Sequence, residues 1–467
     1  MIANDVLDEL RVVVGVAHVQ TAATIASFDP GWHPHNLRAG ALVSPGSTAE
    51  IVAIIDICRA RGVGIVAHGG KTGLVGGAIS TPDEIVLSMA RINQIIEIDP
   101  VARVAVVEAG VTLEALQEAA GKYRLGPGID IPSRGSATIG GMVSTNAGGI
   151  QAFRNGVMRH QVLGLEAVLA DGSLFSDLTR VVKNTAGYDL KHLFIGAEGT
   201  LGIVTRVALR LDVIPPANVV ALFGLPSVAA VLDMIHMALD SPAGSLRAAE
   251  AMWRSFFRLT STSQNFADAD LGADMPLYLL LSLEGADEAA MREAFAQLYE
   301  QALSRYPEMS GVVANSARQR RELWRLREDT DAIYRAFPAA PSHDVSVPLS
   351  KVDAYVTRAL AGLRSIDPTF DPFVFGHLAD GNLHIVLNHA GPLPVERNAE
   401  VEAVLYKDLG DLGGSFSAEH GIGAKRVRAL QLYADPTKQT LMCALKSALD
   451  PQGLFNRGKV VPDARIS

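Results

Sequence analysis

Two histidines, a glutamate and a third histidine carry the strongest chemical signal in the chain. In Gly376-His-Leu-Ala-Asp-Gly-Asn-Leu-His384, Asp380-Gly381 marks a hairpin, because a two-residue type I′ turn needs positive φ at both central positions and Asp and Gly tolerate it best. With Phe373-Val374-Phe375 and Ile385-Val386-Leu387 as the strands, Ala379 then faces Asn382, Leu378 faces Leu383 and His377 faces His384. Directly opposed side chains on one sheet face have Cβ atoms roughly 5 Å apart. Two imidazoles so placed can share one divalent ion, which needs a third ligand and an open position to be catalytic. The best third ligand lies further on, in Ser417-Ala418-Glu419-His420-Gly421. The same letters also fit an ordinary cross-strand histidine pair.

Elements that position such a site need a large scaffold, and the chain supplies one. Its 467 residues imply two or three domains, and 48% apolar with 19% charged residues is an ordinary globular composition. A net charge of −9 without any Lys/Arg-rich run argues against a nucleic-acid partner. Cys58 and Cys443 are the only cysteines, each in an apolar helix-like segment, so neither a disulfide framework nor an iron-sulfur cluster is supported. A reducing, cytoplasmic setting fits best. Asp5, Asp8, Glu9 and Arg11 stand where a signal peptide needs its apolar centre, and the run Val219 to Leu232 is broken by Gly224 and Pro226, so no transmembrane span is expected.

Ser44-Pro45-Gly46-Ser47-Thr48 predicts a turn and cap before an amphipathic helix from Ala49 to Arg61, with Ile51, Ile54, Ile55 and Cys58 on one face. A short strand, Gly64 to Ala67, runs into His68-Gly69-Gly70-Lys71-Thr72-Gly73-Leu74-Val75-Gly76-Gly77. A strand followed by a glycine loop lets successive backbone N–H groups close around a phosphate. Gly70-Lys71-Thr72 resembles the end of a Walker A loop, but Ile65 occupies its first glycine position, and no Gly-x-Gly-x-x-Gly register exists. Two further glycine segments follow, Gly126 to Gly149 and Asn184 to Thr205, and more than half of the 43 glycines lie between Gly62 and Gly202. Three dense loops between strands imply close backbone approach to an extended ligand with a phosphate and a planar part.

The order of these segments resembles the FAD-binding domain of the vanillyl-alcohol oxidase and p-cresol methylhydroxylase (PCMH) superfamily. With the histidine hairpin, Glu419-His420-Gly421-Ile422-Gly423 and Phe455-Asn456-Arg457-Gly458-Lys459, the chain resembles its D-2-hydroxy acid dehydrogenase branch, over roughly residues 40 to 460. The resemblance implies an α+β chain: a PCMH-type FAD-binding domain of two α/β subdomains at 1–215, a cap domain with an antiparallel sheet at 216–415, and a segment at 416–467 that packs back on the FAD site. It places His68, Gly69, Gly70, Lys71, Thr72, Gly73, Leu74 and Gly77 at the FAD pyrophosphate, and Ser136, Gly140, Gly141, Thr145 and Gly149 along the dinucleotide. Glu198, Gly199, Gly202 and Ile203 fall near the adenine end and Asn456 near the flavin. Members with covalent flavin carry histidine where this chain has Lys71, so the FAD is expected to be non-covalent.

On the substrate side the resemblance implies that His377, His384 and Glu419 ligate a divalent ion, Zn²⁺ first, with Mn²⁺ or Fe²⁺ also suited to nitrogen and oxygen ligands. Arg327, on a helix expected from Arg318 to Phe337, binds the substrate carboxylate; His377, His384 and Asn382 complete the substrate-binding set. His420 is the general base in oxidation of a small D-2-hydroxy acid to the 2-oxo acid. Electrons then pass to an external acceptor such as an electron-transfer flavoprotein, a quinone or a cytochrome, or to oxygen, and a homo-oligomer is compatible with the sequence. Dehydrogenases for 2-hydroxyglutarate are expected to offer threonine, lysine and asparagine where this chain has Asp331, Ser342 and Val386, which favours a monocarboxylic or broader substrate. Asn155 stands where relatives often have tyrosine. The alternatives are a non-redox FAD enzyme of the alkyl-glycerone-phosphate synthase type and a flavin-binding subunit of a glycolate oxidase complex.

Overall fold

In the computed structural model, which describes residues 2–266, 271 and 274–462, Ser47 caps the helix Thr48–Arg61 by accepting the Glu50 N–H at 3.2 Å, and Gly62 ends it in the left-handed region at φ 67°. The buried side of this helix is Ile51, Ile54, Ile55 and Cys58, each fully enclosed. Burial pushes the Cys58 thiol up to about 12, so it serves as an inert apolar group. The chain divides into two compact units. One comprises Met1–Gly149, Asn155–Ile214 and Glu419–Ser467; the other comprises Ile150–Arg154 and Pro215–Ala418. The end residues of the ranges expected at 1–215 and 416–467 lie outside the described residues.

The first unit is built on two sheets among the described residues. Strands β1 (Val19–Thr21), β2 (Ala41–Val43), β3 (Gly64–His68) and β4 (Glu84–Ser88) lie in the order β1-β2-β4-β3. Only the β1–β2 pair is antiparallel; β2–β4 and β4–β3 are parallel, with the helix Thr48–Arg61 between β2 and β3 in the chain. The second sheet contains β5 (Ile95–Asp99), β6 (Val104–Glu108), β7 (Leu125–Pro127), β8 (Val162–Val168), β9 (Leu174–Asp177) and β10 (Ile203–Val213), in the antiparallel order β5-β6-β10-β8-β9 with β7 also on β10. Far along the sequence, Leu454 to Asn456 run beside β3: Ile65 N–H donates to the Leu454 carbonyl at 2.8 Å and Asn456 N–H to the Ile65 carbonyl at 2.9 Å.

The second unit is a seven-stranded antiparallel sheet. Its strands are β11 (Ala217–Leu225), β12 (Ser245–Trp253), β13 (Leu277–Gly285), β14 (Ser310–Val313), β15 (Ser342–Ser346), β16 (Phe373–His377) and β17 (Asn382–Val386), in the order β14-β11-β13-β12-β16-β17-β15. Phe256, Leu323, Leu326 and Ile333 come from helices and join Phe375 and Val386 of the sheet in one apolar cluster; each fully buried side chain of this kind stabilises by about 1.5–3 kcal/mol.

Two local expectations are corrected here. The single helix expected from Arg318 to Phe337 is two helices, Ala317–Glu328 and Asp331–Ala336. The break falls at Asp329, whose carboxylate accepts from Ser263 Oγ at 2.9 Å and Gln264 Nε2 at 2.6 Å and pairs with Arg335 at 2.8 Å, contacts that a continuous helix would not present together. The hairpin register also differs: His384 lies opposite Phe375, and His377 lies opposite Glu250 of β12. The turn spans residues 378–381 rather than two, since Gly381 takes φ 78° but Asp380 does not share its positive φ. A shift of two leaves every side chain on its expected face, so the histidines remain neighbours, diagonal instead of opposed.

Candidate active site

The first unit holds a cleft with about 1010 Å³ of empty space, its open mouth included. Its walls are Gly69–Gly73 and Gly77 after β3; Gly140, Gly141 and Thr145 on the helix Ile139–Thr145; Glu198, Gly199, Gly202 and Ile203 before and on β10; and His420 and Asn456. The sequence reading missed Thr138, Met142 and Ser144, which also line it; Thr138 caps the same helix by accepting the Gly141 N–H, a pattern that went unread in the sequence. Backbone approach is close where the glycines require it: a Cβ on Gly70 would stand 2.0 Å from the Ser136 carbonyl oxygen. A Cβ on Gly73 would meet nothing within 4 Å and would project into the space the cleft keeps open.

Four of the expected cofactor residues lie off this wall. His68 is buried, with Nε2 on the Ala78 carbonyl at 2.8 Å, and burial lowers its pKa to about 3, so it is a neutral packing residue. Leu74 is half-buried and Ser136 is exposed. Gly149 permits the close pass of Asp130, whose carbonyl oxygen would stand 2.3 Å from a Cβ there. The segment Asn184 to Asp189 is exposed throughout and takes no part in the cleft. Lys71 lines the cleft through a backbone at φ 57° while its ammonium donates to the Asp29 carbonyl at 2.5 Å. Asn155, the departure with no assigned effect, bonds the Gly128 carbonyl at 3.0 Å.

The C-terminal segment contributes a connected polar group. Asn456 Nδ2 donates to the Glu198 carbonyl at 2.6 Å and the Gly77 carbonyl at 3.3 Å, and its Oδ1 accepts from Lys459 Nζ at 3.0 Å. Burial lowers the Lys459 ammonium to about 8, against the pull of Glu84 and Glu198. Both Glu198 carboxylate oxygens accept backbone N–H groups, from Ile422 at 2.7 Å and Gly423 at 2.9 Å.

In the second unit two strands, β16 and β17, and the helix Ala317–Glu328 carry His377, Asn382, His384 and Arg327. His377 Nδ1 donates to Glu250 Oε1 at 2.7 Å, and Arg327 Nε stands 2.7 Å from Glu250 Oε2 as an ion pair. That second contact is close without being an aligned hydrogen bond. Burial pushes the Glu250 carboxyl up, but His377 and Arg327 together hold it below the usual carboxylate range. His384 Nδ1 lies 3.7 Å from Asp344 Oδ1. Asp344 also accepts from Asn382 Nδ2 at 2.8 Å and from the Ala418 N–H at 3.1 Å, and Glu419 is the next residue in the chain. The two imidazole centroids are 5.5 Å apart at 86°, and the Arg327 guanidinium sits 4.9 Å over the Phe375 ring.

Arg327, expected to break the rule that helical arginines face solvent, is only 7% exposed. Glu250 and Asp344 were missed, although both are fully enclosed; the only signal for Glu250 is a lone acid in the run Ala248-Ala249-Glu250-Ala251-Met252. The donor set fits a divalent ion, because a histidine ligand ordinarily gives its other ring N–H to a carboxylate, and the contact of His377 Nδ1 with Glu250 leaves Nε2 as the ring atom to face an ion. Among the described residues, buried Asn382 Oδ1 has no hydrogen-bond partner, which also suits a site completed by a ligand.

Comparison with known proteins agrees. The FAD binding domain family matches residues 39–177, and the family of FAD linked oxidases, C-terminal domain, matches residues 214–460. The D-2-hydroxyglutarate dehydrogenase of Xanthomonas citri pv. viticola is 37% identical over 92% of this chain and 90% of its own length. That of Stutzerimonas stutzeri is 34% identical over 97% of this chain and 98% of its own. Among solved structures, 4-ethylphenol oxidase from Gulosibacter chungangensis superimposes with a TM-score of 0.75 at 18% identity, over 99% of this chain and 98% of that one, a likeness of fold. The chain belongs to the FAD-linked oxidases, in the family of its D-2-hydroxyglutarate dehydrogenase relatives, and is an FAD-dependent oxidoreductase with a PCMH-type fold.

Proposed function

We propose that the chain oxidises a D-2-hydroxy acid to its 2-oxo acid, with FAD in the first unit's cleft and a divalent ion held by His377, His384 and Glu419. The observation that carries this reading is the buried Glu250 carboxylate joining Arg327 to His377, which sets a carboxylate-binding fork beside a ligand-ready imidazole. Bound FAD supplies the hydride acceptor. A divalent ion supplies polarisation of the substrate hydroxyl. Arg327 offers its guanidinium to the substrate carboxylate. His420 takes the hydroxyl proton on a ring nitrogen.

Two observations bear on the far end of the substrate. The curated relatives carry the name D-2-hydroxyglutarate dehydrogenase. In this chain Val386 is packed in the apolar cluster with Phe375 and Ile333, and Asp331 offers a negative charge, so neither welcomes a second carboxylate. The proposal follows these residues: a monocarboxylic D-2-hydroxy acid is the better substrate. Anaerobic bleaching of the flavin by a panel of D- and L-2-hydroxy acids is the test. The expected result is bleaching by D-isomers alone, with a larger kcat/KM for a monocarboxylic acid than for D-2-hydroxyglutarate. Preference for the diacid would return the chain to the specificity named for its relatives, and bleaching by no member would favour the synthase or subunit reading.

Removal of the ion is a second check. Dialysis against EDTA is expected to lower turnover about 100-fold, the order of several kcal/mol of lost polarisation, with activity restored by Zn²⁺, Mn²⁺ or Fe²⁺. Full activity in protein shown to be metal-free would discard the ion. With no second redox centre proposed, electrons leave to an external acceptor such as an electron-transfer flavoprotein, a quinone or a cytochrome. Among the described residues no helix is long and apolar enough to cross a membrane.

A further inference from the structure

We infer that Glu198 is a positioning residue, whose carboxylate holds the turn Gly421–Gly423 and thereby sets where His420 stands on the wall of the cleft. The inference rests on the proton-accepting role proposed for His420. Glu198 is 7% exposed and lines the same cleft as His420. Its Oε1 accepts the Ile422 N–H at 2.7 Å and its Oε2 the Gly423 N–H at 2.9 Å. Burial pushes the Glu198 carboxyl up, while the Ile422 and Gly423 N–H groups pull it down by bonding the ionised form, which is acceptor-only.

The backbone beneath the carboxylate is fixed from both sides. The Glu198 N–H donates to the Ser144 carbonyl at 2.7 Å, and its carbonyl accepts from Asn456 Nδ2 at 2.6 Å. Its φ of 51° is the left-handed region that a side-chain-bearing residue enters only under such constraint. The turn is shaped to receive it: Gly421 takes φ 82°, and a Cβ there would lie 2.7 Å from Oε1. Beyond the turn, the Val75 carbonyl accepts the Ala424 and Lys425 N–H groups at 3.1 and 3.0 Å. His420 thus stands one residue before a turn clamped on the phosphate-loop side by Val75 and on the β10 side by Glu198.

Gln in place of Glu198 keeps the size but turns one acceptor into an NH₂ donor aimed at a peptide N–H. The experiment measures anaerobic flavin reduction in full-length, FAD-loaded protein by a D-2-hydroxy acid that bleaches the wild type, in Glu198→Gln, His420→Asn and the double variant. Glu198→Gln is expected to keep its FAD and flavin spectrum while the limiting rate of reduction falls about 100-fold, the scale of an ångström of misplacement, and the half-saturating substrate concentration stays within about twofold. The double variant is expected to be no slower than His420→Asn, because two residues acting through one step are not additive. A wild-type rate in Glu198→Gln, a loss that tracks lost FAD, or fully additive losses in the double variant would each overturn the inference and leave the proposed reaction standing. A wild-type rate in His420→Asn would overturn both. If Glu198→Gln yields no yellow protein, Gly421→Ala, which pushes the turn off Oε1, takes its place with the same expectations.

Discussion

Glu250→Gln is expected to lower the unfolding free energy by about 3–5 kcal/mol, the usual result of removing one partner from a buried charged group, and to weaken metal binding by about 10–100-fold. The size follows from what the carboxylate does. It is fully enclosed and bonded to His377 Nδ1 at 2.7 Å, with Arg327 Nε as close. Without it, a buried guanidinium has lost its counter-charge and the imidazole has lost the acceptor that fixes its tautomer. Chemical denaturation and metal analysis of the purified variant provide the measurements; a variant with wild-type midpoint and metal content would show that Glu250 is not the clamp described. The sign with pH is also set. A carboxyl held below its ordinary value contributes its full stability above about pH 4.3 and loses it as pH falls through its own lower value. Glu250→Gln therefore differs most from the wild type at neutral pH and converges with it in acid.

His420→Asn is expected to reduce the rate of substrate-driven flavin bleaching by about 10²–10⁴-fold, the range for loss of a positioned general base. FAD content is expected to stay at the wild-type level, because His420 is one wall residue among many and the glycine loop after β3 and the helix Ile139–Thr145 line the cleft without it. The ratio of flavin to protein absorbance checks the second statement, and anaerobic stopped-flow the first. Bleaching at the wild-type rate would remove His420 from the chemistry.

How much of this was legible before the structure depends on the distance over which each signal acts. The cap at Ser47, the buried face of the helix Thr48–Arg61 and the strand that feeds Gly69–Gly77 are local, and periodicity places them. The two histidines fell on the right sheet face but two residues out of register, since a dipeptide turn signal fixes the parity of a hairpin better than its length. The break at Asp329 was hidden because its causes, Ser263, Gln264 and Arg335, include two residues from a different helix. Glu250 was illegible for the same reason at longer range: it reaches its partner across 127 residues of sequence, and only the pairing of β12 with β16 brings them together. Glu198 was legible as a cleft residue from its place among glycines, but not as the acceptor for a turn more than 220 residues away.

The hydrogen bonds that tie Leu454 and Asn456 to Ile65 have a consequence for how the protein is made. The ribosome releases β3 and its glycine loop long before the strand's neighbour and the asparagine that bridges Gly77 to Glu198, which follows Gly77 by 379 residues. Glu419 and His420 also arrive late, after every strand of the second unit. An incomplete chain therefore carries the glycine loop after β3 without the asparagine that bridges it to Glu198.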